Sequence, residues 1–275
     1  MPVKVILSFW PVLPFVMQYV EAPKSSPLTP GDQDNIMALL EPPTRLRAVQ
    51  LTLTVTTPLL DKVTTLMQQQ FSVLENLYLS TLPGLVLPSK FGGGMPRLRV
   101  LRMDGIALPA LPQLLLSAHG LVSLQLEKLP SFGYTLEALI ICLPAMTQLK
   151  TLRVHILSPT SRPILITTDR PLVGSFILPV LGLMEFHGTI EYLEPLLSGI
   201  SAPLLRYFHI ESINSSSILL NSPGSFDAQK CNDRLLMRLF NLLRPIFQSP
   251  LTGSITSAFV TNLVQTVRLA DFVNG

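Results

Sequence analysis

Charge is what this chain has least of. Only 13% of its 275 residues are Asp, Glu, Lys or Arg, against about 25% in an ordinary globular domain. The net charge is +3, and the Lys and Arg residues are scattered rather than massed in a block, which argues against a nucleic-acid footprint. Cysteine is nearly absent. Cys142 and Cys231 have no metal-ligand spacing and are too few for a disulfide framework, so two thiols in a reducing compartment are the simplest reading. Long apolar runs are missing too. Although 48% of the residues are hydrophobic, no run of about 18 or more escapes a proline or polar break, so no membrane span is expected. Nor does the sequence contain GxxxxGK[ST], a strand-preceded GxGxxG, HExxH or GxSxG. The glycines at 92–94 lack the lysine and helix of a phosphate cradle and read as a turn. No catalytic residue, cofactor or metal is expected, and the chain reads as a non-enzyme.

What is present is leucine at a fixed spacing. The form LxxLxL occurs at Leu98/Leu101/Met103 and Leu121/Leu124/Leu126. It recurs at Leu46/Val49/Leu51, Leu74/Leu77/Leu79, Leu149/Leu152/Val154, Leu181/Met184/Phe186 and Leu205/Phe208/Ile210. The first positions lie 28, 24, 23, 28, 32 and 24 residues apart. Such a period with LxxLxL is the mark of a leucine-rich-repeat solenoid. The fold class expected is therefore α/β, with a curved parallel sheet on the concave side, helices and loops on the convex side, and about seven irregular repeats. Each repeat adds leucines to one shared core, which accounts for the apolar composition without a membrane.

Three segments follow. Residues 1–45 read as an N-terminal capping segment, 46–213 as the solenoid, and 214–275 as a C-terminal helical cap. In the first, residues 1–20 are apolar. A signal peptide competes there, through Val20 and Ala22, but Pro11 and Pro14 interrupt it, so a strand or irregular cap is favoured. Residues 29–32 lead into a short helix expected over 33–40, with an N-terminal cap. Between repeats, 58–67 and 134–143 have helical periodicity, whereas 82–94 and 158–175 read as loops. Pro96, Pro144, Pro179 and Pro203 precede opening leucines and are expected to end convex helices. Apolar residues at Leu82, Ile106, Leu129, Leu157 and Ile213 take the position after the strand. In the tail, Leu235, Leu236, Leu239, Leu242 and Leu243 form one helical face, and Phe259, Leu263 and Val267 continue at helical spacing.

Strand alternation sends the leucines inward and the residues between them onto the concave sheet. The residue between the last two apolar positions is Gln50, Tyr78, Arg102, Gln125, Arg153, Glu185 and His209 in turn. The residue after the last is Thr52, Ser80, Asp104, Glu127, His155, His187 and Glu211. All are polar or amphipathic. Partner contact is expected from Tyr78, Arg102, Asp104, Gln125, Glu127, Arg153, His155, Glu185, His187, His209 and Glu211, with mixed signs that suit a polypeptide. His155, His187 and His209 also suggest zinc and a metal-dependent hydrolase as the weaker alternative, which a flat sheet disfavours.

Trp10-Pro11-Val12-Leu13-Pro14 ahead of the first repeat, with the units at Leu46, Leu74 and Leu98, resembles the fungal F-box/leucine-rich-repeat proteins over about residues 8–230. The resemblance implies the substrate-binding part of a cullin-type ubiquitin ligase, whose F-box docks to the Skp1 adaptor, and a cytoplasmic or nuclear location. In that family an F-box of some forty to fifty residues precedes the tryptophan. Here nine residues stand there, so the recognition part is expected without the adaptor-docking part. The alternative is a secreted leucine-rich-repeat binding protein, with a glycosylation sequon at Asn214.

Overall fold

The seven leucine spacings become seven neighbouring strands. The computed structural model describes residues 13–20, 29–53, 65–86, 94–107, 111–129, 139–156, 176–188 and 199–212, with short stretches and single positions between them. The expectations for 158–175, for Leu157 and Ile213, and for the tail at 214–275 lie outside the described residues.

Eight strands form one sheet in the order β1 (Phe15–Val20), β2 (Leu46–Leu53), β3 (Asn76–Val86), β4 (Val100–Ala107), β5 (Ser123–Leu129), β6 (Thr151–Ile156), β8 (Leu183–Gly188) and β10 (Tyr207–Ser212). Every neighbouring pair is parallel, so a crossover must intervene between successive strands. The fold is thus mixed α/β, with few helices. Two short strands, β7 (Phe176–Ile177) and β9 (Ile200–Ser201), pair with each other in a separate sheet.

Register follows the leucines. Val49, Leu77, Leu101, Leu124, Leu152, Met184 and Phe208 lie opposite one another in sequence, as do Leu51, Leu79, Met103, Leu126, Val154, Phe186 and Ile210. All are buried. Sliding any strand by one residue would turn its apolar row out to solvent, so burial fixes the pairing. The opening leucines are buried as well, except Leu205, which is half-buried. The N-terminal segment supplies β1, an edge strand that buries Met17 and leaves Val16 and Val20 exposed.

Three of the four prolines stand in turns that open the strands. Leu98 N–H donates to Met95 O, Leu181 to Leu178 O and Leu205 to Ala202 O, at 3.0, 3.3 and 3.1 Å. Each is a four-residue turn with a proline, Pro96, Pro179 or Pro203, at its second position, where the fixed φ of proline suits the turn. Leu121 and Leu149 close the same turn from Ala118 and Met146 without proline. The first residue of each turn is buried. Pro144 does stand at a helix end: residues 139–142 are helical and pass directly into the 3-10 turn Leu143–Ala145 that contains it.

Other boundaries shift. Helix α1 is Pro30–Leu40, beginning three residues before the expected start. Thr29 Oγ1 accepts from Asp32 N–H at 3.2 Å and the Asp32 carboxylate returns the bond to Thr29 N–H, a capping box that Pro30 tolerates because the first helical N–H needs no partner. A second helix, α2 (Leu111–Ser117), was not anticipated; it buries Leu111, Leu114 and Leu115. Residues 82–86, read as loop, continue β3. Leu85 and Val86 pair with Ile106 and Ala107 after a register shift beyond Ser80, and the shift absorbs Pro83 and Gly84, which a regular ladder excludes.

Two irregularities recur in the same place. Gly105 in β4 has φ 75° and Lys128 in β5 has φ 50°. Each follows the last polar residue of its strand and adds one residue, as in a β-bulge with a left-handed first position. The extra residue returns Ile106 and Leu129 to the interior, 1% and 4% exposed. In β6 no extra residue intervenes, and Ile156 pairs with Leu129.

Candidate functional site: the open face of the sheet

Between the two inward rows runs a polar one. Gln50, Tyr78, Arg102, Gln125, Arg153, Glu185 and His209 are successive partners in the register from β2 to β10. Parallel strands put equivalent side chains about 4.8 Å apart, too close for most long side chains to ignore one another. The result is a connected surface.

Arg102 is third in the row. Its guanidinium lies 4.9 Å from the Tyr78 ring centroid and 3.0 Å from Glu127 Oε1, so a face of tyrosine and a carboxylate hold one cation from two strands. Arg153 Nε is 2.8 Å from Glu185 Oε2. Both arginine side chains keep about 40% of their surface in water, at 41% and 40%, so each pair stabilises the fold by less than about 1 kcal/mol. Gln125 stands between the two arginines and donates to Ser123 Oγ at 3.4 Å.

The following row is less open than alternation implies. Asp104 and Ser80 are each 8% exposed. Ser80 Oγ donates to Asp104 Oδ2 at 3.2 Å, and Lys128 Nζ reaches Asp104 Oδ1 at 3.0 Å. Asp104 therefore lies beneath a lysine that the bulge in β5 carries across it, and it contacts a partner only if Lys128 moves. Lys128 was not among the expected site residues; its one sequence signal is an extra residue between Glu127 and Leu129.

Toward β10 the face is lined with rings. His155 and His187 are register partners with centroids 5.2 Å apart, His187 and His209 are 5.5 Å apart, and Tyr207 stacks on His209 at 6.4 Å. Glu211 stands opposite His187 in the backbone register; its side chain lies outside what is described. Imidazoles spread along three strands do not focus on one point, and among the described residues no three His, Cys, Asp or Glu side chains form a metal-holding group. Cys142 lies in the interior, where burial raises its thiol pKa and keeps it in the unreactive protonated form. Cys231 falls outside the described residues. Among the described residues no helix is long and apolar enough to cross a membrane.

Comparison of the chain with protein-family models, with curated proteins and with solved structures finds no match.

Proposed function

We propose that the chain is a leucine-rich-repeat solenoid that recognises a protein partner on the open, concave face of its sheet, without catalysis. In this reading it resembles the substrate-binding part of an F-box subunit of a cullin-type ubiquitin ligase. One observation carries the recognition reading: a polar row from Gln50 to His209 runs in unbroken register between two fully apolar ones. Stability explains the apolar rows. It does not explain a band of arginine, glutamate, tyrosine and histidine, because the pairs among them contribute little to folding. A face of both signs with aromatic rings suits a folded or extended polypeptide, since arginine and tyrosine are the residues that anchor protein interfaces.

The test is a double charge reversal, Arg102→Glu with Arg153→Glu, in the full chain used as bait for co-purifying protein. The variant should retain its circular dichroism, because both side chains are substantially exposed, and should lose captured partner by at least about tenfold. Undiminished capture would place the interface elsewhere. Recovery of the adaptor and cullin subunits along with the partner supports the ligase connection; recovery of the partner alone supports an isolated recognition module.

A further inference from the structure

Lys and Arg are scattered in the sequence, but the fold gathers several of them along one margin. The residue after each opening leucine is Arg47, Glu75, Arg99, Val122, Lys150, Gly182 and Arg206 in turn. A chain of backbone hydrogen bonds ties these seven positions into one row: Glu75 N–H to Arg47 O, Arg99 to Glu75, Val122 to Arg99, Lys150 to Val122, Gly182 to Lys150 and Arg206 to Gly182, all between 2.7 and 3.0 Å. The row lies where the strands begin, outside the rows of the open face. The residue before each opening leucine adds Arg45 and Arg97.

Counting charge along this margin separates it from the rest of the molecule. These two rows hold six cations and one carboxylate, Glu75, which is already paired with Arg47 at 3.1 Å. The local balance is +5, while the whole chain carries +3, so everything else sums to −2. Arg97, Arg99, Lys150 and Arg206 are exposed, and among the described residues none of the four makes an ion pair. Exposed cations held near one another repel, which costs stability unless a partner offsets it.

Spacing indicates what that partner is. Arg47 lies in β2, while Arg99, Lys150 and Arg206 immediately precede β4, β6 and β10, and each of these strands is two from the next in the sheet order. Two strand spacings are about 10 Å. A polypeptide extended as a polyproline II helix advances about 3.1 Å per residue and turns once every three residues, so every third side chain returns to the same face at about 9 Å. Single-stranded nucleic acid is the other polyanion to consider, but its binding sites add aromatic side chains on which bases stack. The fourteen positions of the two rows contain no aromatic residue.

We propose that this margin is a docking surface for an extended acidic polypeptide segment with carboxylates at every third residue, lying across the strands from β2 to β10. The surface is separate from the open face and does not depend on what that face binds.

The experiment uses the full chain and a fluorescein-labelled synthetic peptide with glutamate at every third position and glycine and serine between, followed by anisotropy at low salt. A permuted peptide of the same composition with its glutamates adjacent, and an oligothymidylate of similar length, serve as competitors. The spaced peptide should bind more tightly than either. Arg99→Glu with Lys150→Glu should weaken it by at least about tenfold, whereas Lys62→Glu, an exposed lysine off this margin, should leave it unchanged. Both altered residues are exposed, so the fold should survive, which circular dichroism checks. Equal binding of spaced and permuted peptides overturns the register argument, and so does undiminished binding by the double variant. Tighter binding of the oligothymidylate overturns the assignment to a polypeptide in favour of nucleic acid.

Discussion

Gly188 ends β8 beside Ile156, at an inward position where other strands carry a side chain. A methyl group there would lie 3.0 Å from Phe186 Cζ, 3.2 Å from Cε1 and 3.4 Å from Ile156 Cβ. Phe186 is fully buried, so its ring has nowhere to retreat. Gly188→Ala is therefore expected to lower stability by about 1–3 kcal/mol, the usual range for overpacking, read as a fall in the urea midpoint. In a Phe186→Leu background the added cost should shrink, because the atoms that clash are gone; an equal cost in both backgrounds would place the strain elsewhere. The inward leucines were legible in the sequence because a two-residue alternation inside a recurring unit admits one orientation. Gly188 was not legible, since the ring that excludes a side chain there comes from two residues earlier in a buried rotamer. The burial of Asp104 and Ser80 escaped notice for a related reason. Their polarity places them on the open face, and only the extra residue at Lys128 shows that the face is covered at that point.

Elements were misread where proline and glycine carry two meanings. Pro30 looks like a barrier to helix, yet at the first helical position it is an initiator, so α1 starts earlier than its apolar pattern suggests. Its stability rests on the Thr29 cap. Thr29→Ala should cost about 1 kcal/mol, measured by the same urea titration, and Thr29→Ser should restore most of the loss. No difference between the two would mean that packing of Ile36, Ala38 and Leu40 holds the helix unaided. Pro83 and Gly84 read as a loop, but β3 passes through them by a register shift. The short helix α2 left a faint signal, Leu111, Leu114 and Leu115 at helical spacing over only seven residues, too brief to stand out in so leucine-rich a chain. The turns before each strand were half-visible: their prolines were noted, but the hydrogen bond that defines them is a backbone property.

At the scale of the molecule, the parallel order of strands follows the order of the chain with two interruptions, at β7 and at β9, which pair with each other instead. That arrangement was readable from the period of 23 to 32 residues between leucine units, because strands of one sense at regular intervals need crossovers of similar length. The margin of cations was not readable. Its residues lie in different units, with gaps of 50, 51 and 56 positions between Arg47 and Arg97, Arg99 and Lys150, and Lys150 and Arg206, and acquire a common surface only when the units are laid side by side. Chain-order pairing has a mechanical consequence as well. Each strand is held on either side by a neighbour in the sheet and none bridges distant strands, so tension applied at the two ends reaches an edge strand before the centre. Under a pulling force the sheet should peel from an edge, strand by strand, instead of shearing at once. A force–extension trace should show a sawtooth whose teeth run from about 80 to about 110 Å, the contour lengths of the shortest and longest units at about 3.4 Å per residue.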